Sequence, residues 1–187
     1  MEPWGWAVLA IVVIAVLGLG IYLWNQNRRT QQLTGRFGPE YERAVEETGD
    51  RRRAERELEE RQERIAKMSV RPLDPDARDR FAEEWRAVQR AFVDDPAGSI
   101  SRADRLVQEV MAERGFEPDA DFDRRAADVS VDHAQVVSDY RLAHDIAERH
   151  AADGVDTEEL RQAMVHYRAV FEDLLESETP AAAGARS

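Results

Sequence analysis

Four histidines are the first place to look for chemistry: His133, His144, His150 and His166. A di-iron site in a helical protein is built from Glu-x-x-His pairs on facing helices. Here the residues three before each histidine are Ser130, Arg141, Ala147 and Ala163, so that pattern is absent. His144 and Glu148 are spaced i,i+4 and share a helix face. Two ligands on one face do not make a metal site without further converging donors, and the same spacing gives an ordinary surface pair. His166 sits beside an apolar stripe and reads as a partly buried structural histidine.

Nucleophilic chemistry finds no better footing. The chain has no cysteine, which removes a thiol nucleophile, a Cys metal site and a disulfide framework together. No G-x-S-x-G, P-loop or G-x-G-x-x-G pattern occurs; Gly18-Leu19-Gly20 lies inside an apolar run and cradles no phosphate. Carboxylates are plentiful, with 38 Asp and Glu, but fall mostly where helix caps and solvated faces belong. The sequence therefore yields no catalytic residue, no cofactor-binding residue, no metal ligand and no cofactor.

Nucleic acid is also a poor fit. Formal net charge is −12. Residues 28–67 are nearly neutral, whereas residues 68–187 carry the acidic excess. Phosphate backbones are bound largely by Lys and Arg, and an acidic distal body offers the wrong sign. Twenty-five of the 26 basic residues are Arg, the exception being Lys67, which suggests a GC-rich bacterial source.

The element that would position everything else comes first in the chain. From Trp4 to Trp24 there is no charged residue. A helix of that length covers the roughly 30 Å of a bilayer core. Trp4 and Trp6 mark one end and Tyr22 and Trp24 the other, the distribution of an interfacial aromatic belt. A cleaved signal peptide would show a basic flank, a shorter apolar core and a small-residue cleavage site; the exit reads Tyr22-Leu23-Trp24-Asn25-Gln26-Asn27 instead. Residues 1–27 are thus expected to be an uncleaved transmembrane anchor. The span carries no ionisable group for a proton or ion path, and no small-xxx-small pair for tight helix dimerisation. Arg28, Arg29 and Arg36 follow it, so the positive-inside rule puts the N-terminus outside and the body in the cytoplasm of a bacterial cell. An extracytoplasmic body is the alternative.

Residues 28–73 read as a hinge and a charged helical stalk. Asn25–Leu33 continues the first helix, Gly35 and Gly38 interrupt it, and Pro39 opens a short helix ending near Gly49. The stretch Gly35–Arg43 combines Arg36, Phe37 and Tyr41 close to the membrane. It is either a protein contact built from aromatic and Arg side chains or a hinge whose Phe37 and Tyr41 dip into the lipid interface. The following helix is highly charged, with Glu57–Arg61 and Glu60–Arg64 at i,i+4. Ala54, Leu58, Arg61, Ile65 and Met68 form a thin stripe, better suited to resting on the body than to a coiled coil.

Residues 74–176 carry a small bundle of amphipathic helices. Asp74-Pro75 and Asp95-Pro96 each give an N-cap with proline at the first helical position. Phe81, Trp85, Val88 and Phe92 line the first helix; Ala103, Leu106, Val107, Val110 and Met111 line the second, stopped by Gly115. A short helix is expected over 119–128. Asp132 and Gln135 have capping-box spacing, as do Asp156 and Glu159. Leu160, Ala163, Met164, Tyr167, Phe171, Leu174 and Leu175 make the clearest stripe. Residues 177–187 read as a disordered tail. With no segment alternating at period two, the fold class is all-α: one transmembrane helix, a charged helical stalk and a small bundle.

The stretches RFGPEYERAVEETGDRRRAERELEER, RPLDPDARDRFAEEWRAVQRAFVDDPAGSISRADRLVQEVMAERG and EELRQAMVHYRAVFEDLL resemble an uncharacterised family of bacterial proteins, common in actinobacteria, whose members are labelled membrane or secreted proteins. The resemblance covers most of the chain beyond the anchor. It implies an anchored helical body and brings no activity, ligand or site residue.

These features point to a membrane-tethered interaction or scaffold protein without catalysis of its own. Its partners would be the lipid bilayer and another membrane or cytoplasmic protein, not nucleic acid. A helical ligand-binding or enzymatic domain with an unrecognised site is the alternative.

Overall fold

The computed structural model describes residues 3–177; the side chains of residues 3–15, 22, 23, 25 and 26 lie outside that description. The described chain is all-helical: α1 (Pro3–Phe37), α2 (Pro39–Thr48), α3 (Arg51–Lys67), α4 (Pro75–Ala91), α5 (Pro96–Arg114), α6 (Phe122–Val129), α7 (Val137–Asp153) and α8 (Thr157–Glu176). Contacts divide it into two compact units, residues 1–55 and 56–187. The sequence reading has boundaries after residues 27, 73 and 176; the division by contacts falls inside α3, after Glu55.

In the first unit, α1 runs unbroken past Gly35, so only one of the two expected interruptions exists. The break comes at Gly38, whose φ of 50° and ψ of −123° lie where a β-carbon is not tolerated. Pro39, next in line, disfavours helical geometry at the residue before it and then starts α2 at the position where a missing N–H costs nothing. Gly49, also left-handed, ends α2. Among the described residues no helix is long and apolar enough to cross a membrane. Of the expected aromatic belt, the side chains of Trp4, Trp6 and Tyr22 lie outside the described residues; Trp24 is exposed, with the Arg28 guanidinium 4.3 Å over its ring.

In the second unit, α8 packs against α5 and α7, α4 packs on α5, and α6 on α7. The starts of four of these helices are written locally. Asp74, Asp95, Asp121 and Asp156 each accept a backbone N–H from the first turn. The expected Asp132–Gln135 box does not form. Helix α7 starts only at Val137 and has no side-chain cap. Residues 130–136 instead make successive tight turns, among them His133 N–H to the Val129 carbonyl, that bury Val131, His133 and Ala134. Burial of those three side chains outweighs a surface cap.

The predicted stripes are the core. Phe81, Trp85 and Val88 of α4, the five named residues of α5 and six of the seven of α8 are buried, as is Val170; Phe92 and Leu175 are half-buried. Ala54, Leu58, Arg61 and Ile65 of α3 are buried within the single chain. The tail from 178 to 187 lies outside the described residues.

Candidate functional site

The residues expected to contact a partner or lipid near the membrane do not share one environment. Arg36 is exposed, but Phe37 and Tyr41 are buried, which corrects the picture of rings presented to lipid or to a partner. The reason is apolar burial: Phe37 falls on the same side of α1 as Leu33, one turn earlier, and both are withdrawn from water. The Tyr41 hydroxyl donates to Glu55 Oε1 at 3.1 Å, and Thr30 Oγ1 donates to the same oxygen at 2.6 Å. Burial, and then the neighbouring Glu55 carboxylate, push the Tyr41 hydroxyl above its ordinary pKa. Glu55 thus ties α1, α2 and the start of α3 through one buried carboxylate.

The densest buried polar cluster is in the second unit, and sequence reasoning missed it. Arg114 closes α5 and is 1% exposed. Its Nη1 donates to the Leu174 carbonyl at 2.9 Å and faces His133 Nε2 at 3.4 Å; its Nε donates to the Arg71 carbonyl at 3.3 Å. On the other side of the ring, His133 Nδ1 pairs with the Asp173 carboxylate. Burial lowers the Arg114 pKa, opposed by the charges of Asp173 and Asp132; a guanidinium nevertheless stays protonated. The tautomer that satisfies every partner therefore carries the imidazole proton on Nδ1 and leaves Nε2 to accept from Arg114.

Ser, His and Asp meet here, so a nucleophilic relay must be tested on geometry. Such a relay needs the acid on one ring nitrogen and the hydroxyl on the other. Ser177 Oγ instead lies 3.5 Å from Nδ1, the nitrogen that Asp173 already holds, and donates to the Asp173 backbone carbonyl. The far nitrogen faces a permanently charged donor. The cluster does something else: it satisfies the Leu174 carbonyl in the last turn of α8 and ties that turn to α5, the 130–136 turns and the segment entering α4. Gly115 completes it. Its φ is 96°, and a β-carbon there would stand 2.7 Å from the Ser69 carbonyl oxygen.

A second buried network lies between α5 and α8. Asp104 accepts from the Tyr167 hydroxyl at 3.0 Å and from Gln108 Nε2 at 2.6 Å. Tyr140 accepts from Arg125 Nε at 3.4 Å. Burial raises the pKa of both phenols, and the Asp104 carboxylate adds to the rise at each.

The remaining histidines fall where ordinary packing puts them. His144 stacks on Phe122 with ring centroids 3.6 Å apart and pairs with Glu148 at 3.3 Å. His166 Nδ1 meets Asp139 at 2.6 Å and is half-buried. His150 Nδ1 accepts from the Val155 N–H at 3.3 Å. Among the described residues no group of three or more His, Cys, Asp or Glu is arranged to hold a metal ion.

Comparison with protein-family models, curated proteins and solved structures finds no match.

Proposed function

We propose that this chain is a single-pass protein of the bacterial cell membrane that holds a helical body at the membrane face as a non-catalytic interaction or scaffold module. One observation carries the reading. Six consecutive residues of α1, Val16 to Ile21, are all exposed. Six residues at 100° each pass right round a helix, so exposed apolar positions face every side of this segment. Val16, Leu17, Leu19 and Ile21 are 59–65% exposed. A helix apolar on all sides belongs in hydrocarbon or within a large core, and the uncharged run that contains this one has the length of a bilayer core.

Arg28, Arg29 and Arg36 after the span favour a cytoplasmic body. The test uses the absence of native cysteine. A single Ser187→Cys substitution gives a unique handle; it should stay unlabelled by an impermeant thiol reagent in intact cells and become labelled after lysis. Labelling in intact cells reverses the topology. Recovery of the full chain in the soluble fraction rejects the tether. Turnover of a substrate by the full chain would replace the scaffold with the enzymatic alternative.

A further inference from the structure

We infer that Arg28, Arg51, Arg52 and Arg53 form a basic collar that gathers anionic lipid headgroups around the membrane span, an inference that rests on the tether reading above.

The collar is assembled by the first unit's path. Thr30 lies eight residues, about 12 Å of helix, before the turn at Gly38, and Glu55 lies seventeen residues after that turn. Their 2.6 Å hydrogen bond therefore requires the chain to double back, with α2 returning along α1 as their packing shows. The second reversal, at Gly49 and Asp50, delivers α3 beside α1, and Glu55 fixes the register by binding Thr30 of α1 and Tyr41 of α2 at once. Arg51, Arg52 and Arg53 precede Glu55 by two to four residues, or about 3–6 Å of rise. In this up-down-up path they fall back toward Asn27 and Arg28, at the exit of the uncharged run. Arg28 is already seated over Trp24 there.

The chemistry fits the site. All four arginines are exposed, and among the described residues neither Arg52 nor Arg53 forms an ion pair. The nearby carboxylates are largely engaged. Glu55 is buried under two hydroxyls, Glu47 holds Arg43 at 2.8 Å, and Asp50 accepts the backbone N–H groups of Arg52 and Arg53. Three arginines in the first turn of α3 also run against the helix dipole, which favours acid there. They do not serve the helix. The guanidinium fork matches a phosphate, and a polybasic segment at the membrane surface attracts anionic lipid.

The test uses the full chain in phosphatidylcholine vesicles carrying a trace of spin-labelled phosphatidylglycerol or spin-labelled phosphatidylcholine. The motionally restricted fraction of each gives their relative association with the protein. Phosphatidylglycerol should be preferred, and the preference should fall at least about twofold in the Arg52→Gln/Arg53→Gln double variant, since each surface arginine is worth on the order of a fivefold change in association. It should also fall at high salt and be retained in Arg52→Lys/Arg53→Lys, with helical content unchanged in both variants. A preference that survives the glutamine substitutions, or a wild-type chain that floats with the vesicles and prefers neither lipid, overturns the collar and leaves the tether standing. A chain that does not float with phosphatidylcholine vesicles overturns both.

Discussion

The indole of Trp85 lies flat against the ring of Phe171, with centroids 4.6 Å apart and planes 13° from parallel. The stack joins α4 directly to α8, as does the 3.0 Å hydrogen bond from Arg78 Nε to the Leu175 carbonyl; the other principal neighbours of α8 are α5 and α7. Phe171 is 1% exposed, so truncation leaves a cavity that the surrounding helices fill only in part. Phe171→Ala is expected to cost about 3–5 kcal/mol. Hydrogen exchange in α8 peptides of the full chain reads this unit without the first. A loss below about 1 kcal/mol would mean that α4 and α8 do not meet in this way.

Ser99 presents the opposite case. It is fully buried, and its hydroxyl has no hydrogen-bond partner among the described residues. A buried hydroxyl without a partner carries a desolvation penalty of about 1–3 kcal/mol, and alanine is also the better helix former. Ser99→Ala should therefore stabilise the second unit, by about 1 kcal/mol. Destabilisation in urea titrations of the full chain would show that the hydroxyl is satisfied in solution.

Arg114 and His133 should behave as a coupled pair. Arg114→Met removes the donor to His133, Leu174 and Arg71 together, and breaking a buried charged contact in this way costs about 3–5 kcal/mol. His133→Leu removes the acceptor and leaves Asp173 without its buried partner. Because both variants lose the same contact, the double variant should be less destabilised than the sum of the singles, by about 0.5–3 kcal/mol. Strict additivity would show that the 3.4 Å approach contributes nothing.

What was legible in the sequence was what is decided locally. Asp74, Asp95 and Asp156 announce helix starts because cap and first turn are adjacent in the chain, and Gly49 and Gly115 mark ends for the same reason. The stripe of α8 was legible because one face repeats. The polar clusters were not. Arg114, followed by Gly115, looks like a solvated residue favouring the helix C-terminus; nothing nearby says that Leu174, sixty residues on, will need its proton. Tyr167 and Asp104 are separated by 63 residues. His133 did carry a signal, lying between Val131 and Ala134 in a weakly polar stretch, but burial of that stretch competes with the Asp132–Gln135 capping pattern and only the fold decides. Phe37 and Tyr41 misled for a related reason: nearness in sequence to an uncharged apolar run does not say which way a ring turns once Gly38 and Gly49 fold the chain back on itself.

Tyr140 and Tyr167 give the second unit a defined weakness in alkali. Both are fully buried, and both have pKa values raised by burial, with the negative charge of Asp104 adding to the effect. In the unfolded chain each phenol ionises near 10. Below that pH neither state loses a proton and the stabilising contribution is complete. Above it the unfolded state ionises while the folded state stays neutral, so the unfolded state binds fewer protons and stability falls as pH rises, at up to about 1.4 kcal/mol per pH unit for each tyrosine. The fall continues until the raised folded-state pKa is reached. Chemical denaturation between pH 9 and pH 11.5 should show this steepening. Tyr167→Phe loses the hydrogen bond to Asp104 and is less stable at neutral pH, but its slope above pH 10 should be shallower than that of the wild type, because one of the two ionisations is gone. An identical slope would place the ionisation that unfolds the protein elsewhere.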